Sequence, residues 1–417
     1  MGGVRRSKAA AGLGVGLAVA GAAVGQLLGD ARWAWAGGIV GAVSGIFAPT
    51  VYGVVRERYA RWLMINGELA SKMGRFDTAL SLTGEAVVIH RKLARAYPDR
   101  HRPDLARSLH NLGLTLSELG RPADARPAEQ EAVTIRRELA EAHPDTRRPD
   151  LAHSLHNLGV TFTELDQYAE ALPPTQEAVD IYRELAEAHP DRYRPDLAYS
   201  LHNLGVTFSG LGRYAEALPP TQEAVTIRRE MAETYPELYR PDLAHSLHNL
   251  GVTFSALGRY ADALPAEHEA VTIRREMAET YPELYRPDLA RSLHNLGVTF
   301  SALRRPAEAL PPAEEAAAVY RELAKAHPDR YRPDLADSLA SLSVRFAELG
   351  LHAEALPPAQ EAVAVYRELA KAHPDRYGPR LSSLLPNLAA KLRQLGSTDA
   401  EAAFDEAAKT AEGYPET

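Results

Sequence analysis

The stretch LHNLGVTFSALGRYADALPAEHEAVTIRREMAETYPELY, Leu247–Tyr285, spaces its apolar side chains with the period of a helix. Leu247, Leu250, Phe254 and Leu257 fall at i, i+3, i+7 and i+10, the stripe that one buried helical face requires. Gly258 predicts the stop, since glycine takes the left-handed turn at no steric cost. A second stripe runs through Tyr260, Ala263, Leu264, Ala270, Ile273 and Met277 and closes at Pro282. Arg286-Pro287-Asp288 then reads as the opening of the next helix, with proline in the first turn, where its missing N–H goes unused. The pattern predicts a pair of antiparallel helices.

The pair recurs. SLHNLG stands at Ser108, Ser154, Ser200, Ser246 and Ser292, each copy 46 residues after the last. AVTIRREMAETYPELYRPDLA is spelled identically from Ala224 and from Ala270. Steps of 46 residues place first helices around Met64, His110, His156, His202, His248, His294, Ala340 and Pro386. The outer copies drift: Met64-Ile65 and Ala340-Ser341 replace His-Asn, and Pro386 precedes Asn387. Such drift is expected of caps, because a repeat array grows by stacking units that each bury a face on the next. The expected fold is all-α, an α-solenoid of about eight repeats over residues 62–417, preceded by two hydrophobic helices within residues 1–61.

Those first residues are a different material. Ala9–Gly29 and Trp33–Val55 carry no charge, and Asp30-Ala31-Arg32 separates them. Each run reaches the roughly 20 residues that cross a bilayer as a helix. Arg5, Arg6 and Lys8 precede the first run, and Arg56, Arg58 and Arg61 follow the second. Positive flanks at both outer ends predict a hairpin in the cell's inner membrane with the repeats facing the cytoplasm. Gly21, Gly25 and Gly29, like Gly37, Gly41 and Gly45, are spaced by four, which lets helix backbones approach closely in lipid. That contact either zips the hairpin or joins copies into a homo-oligomer. A cleaved export signal, or a soluble helical pair laid against the repeats, are the competing readings.

Leu247, Gly251, Phe254, Tyr260, Ala263 and Ala270 resemble the signature of the tetratricopeptide repeat (TPR). RPDLA before the first helix, Asn249 before Leu-Gly and a proline inside the second helix resemble the kinesin-light-chain subgroup, in the long-repeat form of actinobacteria. The large aromatic usual after that proline is replaced by Glu267, Thr221 or Thr175. The resemblance implies a right-handed superhelix whose first helices line a concave face, into which positions such as His248, Asn249, Val252 and Ser255 point. The site it implies is a ladder of His110/Asn111, His156/Asn157, His202/Asn203, His248/Asn249 and His294/Asn295. Three residues upstream of each His the side chain varies, as Arg107, His153, Tyr199, His245 and Arg291. A primary amide both donates and accepts, so stacked asparagines can hold an extended backbone while the varied neighbours choose side chains. The alternative is that His and Asn bond neighbouring repeats and steady the stack.

Charge and composition narrow the chemistry. The chain is −8 overall, and residues 1–61 hold seven basic side chains against two acidic ones, so the repeats are acidic. Phosphate contacts require clustered Lys and Arg, so no nucleic-acid partner is expected. Cysteine is absent, which excludes disulfides and thiolate metal sites. His153/His156 and His245/His248 could share an ion at i, i+3, but neither pair has a third ligand nearby. An imidazole ladder on an acidic face would titrate near neutral pH. Phosphate-binding loops and hydrolase motifs are missing, and residues that recur once per repeat do not make one active centre. The reading is a membrane-tethered scaffold for a protein or peptide, without enzyme activity, cofactor or metal. The alternative is a membrane-perturbing effector of a bacterial conflict or signalling system with the repeats as sensor.

Overall fold

A computed structural model describes the backbone of residues 48–413 and the side chains of residues 55–410. Sixteen α-helices and no strands make up the described residues, and the fold is an α-solenoid of helical hairpins. It divides into two units, one ending at Pro190 and one beginning at Asp191. The first holds α1 (Ala48–Lys72), α2 (Phe76–Ala96), α3 (Pro98–Glu118), α4 (Pro122–Ala142), α5 (Pro144–Glu164) and α6 (Tyr168–Ala188). The second takes in α7 (Pro190–Gly210), α8 (Tyr214–Thr234), α9 (Pro236–Ala256), α10 (Tyr260–Thr280) and α11 (Pro282–Ala302). It continues with α12 (Pro306–Ala326), α13 (Pro328–Glu348), α14 (His352–Ala372), α15 (Pro374–Gln394) and α16 (Asp399–Gly413).

The period has a simple construction. α9 and α10 are each 21 residues long, Leu257–Arg259 joins them, and Tyr281 alone passes the chain on to α11. Gly258 makes the turn at φ +71°, as predicted. The first helices begin earlier than the sequence suggested. Pro282, not Pro287, occupies the first turn of α11, and Pro287 lies inside the helix. Pro265 likewise lies inside α10, where a missing N–H leaves one carbonyl without its helical donor.

Burial follows the predicted stripes. Leu63, Leu109, Leu155, Leu201, Leu247, Leu293, Leu339 and Leu385 are the same position of successive first helices, and each is fully buried. In the second unit Leu247, Leu250, Phe254, Ala263, Ala270 and Ile273 share one apolar cluster, with Met277 packed at its edge. Burying a Leu or Phe side chain stabilises a fold by about 1.5–3 kcal/mol, so within each unit this column holds each hairpin to its neighbours.

No described helix is long and apolar enough to cross a membrane. The Ala9–Gly29 run and all six spaced glycines (Gly21, Gly25, Gly29, Gly37, Gly41, Gly45) lie outside the described residues, as does most of the Trp33–Val55 run. Its end, from Ala48 onward, is helical and continues unbroken through residue 61 into α1.

Candidate ligand-binding face of the first helices

Each SLHNLG segment lies mid-helix against its neighbours, and its serine and histidine are spent there. In the second unit, Nδ1 of His202 on α7 lies 3.1 Å from Oγ of Ser246 on α9, and its Nε2 lies 3.4 Å from Asn249 Nδ2. His248 repeats the first contact, with Nδ1 3.2 Å from Ser292 Oγ on α11. At His202 an amide donating to Nε2 leaves Nδ1–H to donate to the serine, and both rings staple one repeat to the next. In the first unit the same serine position is reached by His90, whose Nδ1 lies 2.7 Å from Ser108 Oγ.

Arginines that the sequence reading missed complete the staple. Arg228 on α8 donates to Ser246 Oγ and, at 3.0 Å, to the Asp242 carbonyl. Arg274 on α10 does the same to Ser292 Oγ and, at 3.1 Å, to the Asp288 carbonyl. Arg136 on α4 reaches Ser154 Oγ and the Asp150 carbonyl. All three are buried. The signal was present, because Tyr182, Tyr320 and Tyr366 stand at the same step of 46 and are also buried.

The imidazole ladder therefore does not line an open groove. His110, His156, His202 and His248 are buried, and His294 is half-buried. Each ring follows the core leucine, and His110, His202 and His248 are carried toward the next first helix rather than to solvent. Burial, above all, lowers their basicity: His110 and His248 fall well below the usual imidazole value, and His156 falls to about 3. His153, His245 and His294 shift the same way for the same leading reason. The expected titration near neutral pH is overturned by this desolvation. Ser255 is also turned inward, 3.2 Å from Thr299 Oγ1.

What faces outward is the varied position and what stands beside it. Arg107, His153, Tyr199, His245 and Arg291 are exposed, while Asn111, Asn157, Asn203, Asn249 and Asn295 are half-buried. Leu114, Val252 and Val298, one further turn along, are also exposed. On α11 the row is Arg291, Asn295, Val298, and the i, i+4, i+7 spacing puts cation, amide and methyls on one stripe. Arg291 is steadied by Asp288 at 2.5 Å and Arg107 by Asp104 at 2.8 Å. His110 and His153 meet edge to face with ring centroids 4.7 Å apart, as do His202 and His245 at 4.9 Å. Nδ2 of Asn157 is buried and hydrogen-bonds nothing in the protein.

Two further buried groups lie behind or along this stripe. Glu267 on α10 presses against Gly251, its Oε1 accepts from Thr299 Oγ1 at 3.0 Å, and its Oε2 has no hydrogen bond. Burial, partly offset by the Thr299 and Ser255 hydroxyls, pushes its carboxyl up to about 7, and Glu129 in the first unit is pushed up equally. Where the motif breaks at Ala340-Ser341, the first helices of the second unit enclose a pocket of about 340 Å³ bordered by His294, Ser341, Arg380, Asn387 and Lys391. Arg380 is held by Asp337 at 2.6 Å. Lys391 is buried, and the lost water lowers its ammonium's basicity. Among the described residues no group of three His, Asp or Glu is placed to hold a metal ion.

Comparison with known proteins places this architecture. Among curated proteins none matches the chain. A solved protein from Pyrococcus horikoshii, a signal-transduction ATPase with a tetratricopeptide repeat sensor, is similar at 14% identity and a TM-score of 0.53, over 87% of this chain and 53% of its own. The quorum sensor NprR from B. thuringiensis is similar at 13% identity and a TM-score of 0.50, over 95% and 97%. A Podosopora anserina protein assigned as a kinesin light chain, with nearly identical TPR-like repeats, is 22% identical over 55% of this chain and 99% of its own, with a TM-score of 0.42. Tetratricopeptide-repeat profiles match residues 58–138, 151–191, 197–233, 243–279, 289–329 and 335–375. The chain belongs to the tetratricopeptide repeat family.

Proposed function

We propose that the protein is a scaffold that holds a peptide or protein segment along the outward stripe of its first helices, and that its N-terminal apolar runs tether it to the inner membrane with the repeats in the cytoplasm. The observation that carries the reading is Asn157, whose amide sits within the stripe with a buried, unbonded donor. A buried polar group left unpaired costs about 1–3 kcal/mol, and a turn of that side chain toward a ligand carbonyl relieves it. The same amide stands at Asn111 in the same unit and at Asn203, Asn249 and Asn295 in the second, so a segment lying along either unit's row meets an amide once per repeat. Arg107, Tyr199 and Arg291 differ at the neighbouring position and supply choice among ligand side chains. Two structurally similar proteins are described as sensors, which supports an array that receives a ligand. Nothing in the stripe resembles a reacting centre, so the role is presentation rather than catalysis.

A randomised peptide library panned against the full chain in detergent supplies ligands for the test. Replacing Asn203 and Asn249 by Ala lowers the affinity of the selected peptides roughly three- to tenfold for each amide removed. Recovery of the same peptides at unchanged affinity would place the ligand elsewhere. The tether is checked separately, since it predicts that the full chain sediments with membranes and resists extraction by salt.

A further inference from the structure

Inside the second unit the staple fails, and a pocket opens where it does. His202 reaches Ser246 and His248 reaches Ser292. The next step would carry His294 on α11 to Ser338 on α13, but Ser338 Oγ is buried without a hydrogen bond. Tyr320 stands where Arg274 serves the preceding copy, so the arginine of the staple is gone as well. One repeat further the histidine itself is missing, replaced by Ala340. A methyl in place of an imidazole leaves room, and His294, Ala340 and Ser341 border the pocket of about 340 Å³. Sites for small molecules run from about 300 to 1,000 Å³, so this one suits a small ligand.

The α15 wall of the pocket carries a charge. Lys391 stands at the position that Thr253 and Thr299 fill in earlier copies, and it is only 8% exposed. Arg345 stands there too, one repeat before, and its guanidinium donates to the Gly297 carbonyl at 3.1 Å. Lys391 has no such acceptor among the described residues, and it borders the pocket. A nearly buried ammonium without a partner is costly, and an anion in the pocket supplies one. The other charges set how much anion is needed. Arg380 is held by Asp337 at 2.6 Å, and Tyr366 hydrogen-bonds to both. Burial, above all, lowers the basicity of His294, which leaves it neutral at pH 7. One positive charge, that of Lys391, remains uncompensated. Val344, Leu384 and Leu388 add an apolar wall beside it. A dianion such as phosphate would find no second free cation there and no use for that wall.

We infer that this pocket binds a small molecule bearing one carboxylate on an apolar body, with the carboxylate on Lys391 and the body against α13 and α15. The site goes beyond the scaffold role and does not depend on it.

Hexanoate, its neutral counterpart hexanamide and inorganic phosphate are titrated into the full chain in detergent. Saturation-transfer NMR follows the two organic ligands and phosphorus line broadening follows phosphate, each against micelles alone. Saturable hexanoate binding is expected, with hexanamide weaker by roughly ten- to a hundredfold, the weight of a hydrogen bond to a charged group. K391M is expected to bind hexanoate no better than hexanamide. A340H refills the pocket with the side chain that earlier copies carry, and is expected to lose both ligands. Circular dichroism checks that each variant is folded, and the comparison of three ligands on the wild type stands even if one is not. Absence of saturable hexanoate binding to the wild type would overturn the site. So would a preference for hexanoate that survives in K391M, or binding undiminished in A340H. Phosphate bound as tightly as hexanoate would overturn the carboxylate.

Discussion

Arg304 occupies a backbone conformation that most other copies of its turn give to glycine. Its φ is +58°, against +71° at Gly258 and +70° at Gly212. A side chain in the left-handed region costs about 1–2 kcal/mol, so R304G is expected to raise the unfolding free energy by about 1 kcal/mol, measured by denaturant titration. Glu267 makes a pH-dependent statement at the same scale. Its folded pKa of about 7 exceeds the ordinary 4.5, so between these values the folded state binds more protons than the unfolded chain. Stability therefore falls as pH rises through that window and is level above it. E267Q is expected to stabilise the protein at pH 8 by up to about 3 kcal/mol, with the gain vanishing at pH 4. Thermal melts at the two pH values check it. The buried histidines act in the opposite sense. Their lowered pKa values make stability fall as pH drops below the ordinary imidazole value of 6.5.

At the scale of the element, the helices and their core faces were legible because a period of 3.6 residues selects the leucines. The same period does not say whether the residue beside a core leucine faces solvent or the next repeat. That is why His248 reads as a groove residue in sequence and proves to be a staple in the structure. Helix starts were misplaced for a similar local reason, since Pro282 and Pro287 can each open a helix and only the one-residue joint at Tyr281 decides. The departure noted at Glu267 also gains a cause. Gly251 packs where a Cβ would meet Glu267 Cγ at 2.5 Å, whereas a Cβ at Gly297 meets the Ala309 carbonyl at 3.3 Å and Ala313 Cβ at 3.6 Å. Exchanging either glycine for Ala adds helix propensity of about 1 kcal/mol. G251A is expected to lose more than that, about 1–3 kcal/mol, by overpacking, while G297A stays near neutral. Chevron or equilibrium unfolding of the two variants separates them.

Across the whole molecule the repetition does two jobs with one sequence unit. Arg229 pairs with Glu269 at 2.6 Å and Arg275 with Glu315 at 2.7 Å, the same step of 40 residues carried along the second helices. Such exposed pairs contribute a few tenths of a kcal/mol each, so cohesion comes mainly from the leucine column and the serine–histidine–arginine staples. Near-verbatim copying keeps those contacts intact and leaves one outward position free to vary, from Arg107 through Tyr199 to Arg291. The outward face of the first helices was legible as a row but not in its depth. The histidines of the His-Asn pairs are buried, His294 half-buried, while the asparagines are half-buried and the varied neighbour upstream is exposed.

The claim that imidazoles bind the repeats while the row outside them binds the ligand is tested most directly by titrating one selected peptide, by calorimetry, into N157A and H248A side by side at a temperature where both are folded. The account predicts several-fold weaker binding to N157A, which gives up no hydrogen bond of its own fold, and near wild-type affinity for H248A. Unchanged affinity in N157A together with lost binding in H248A would contradict it.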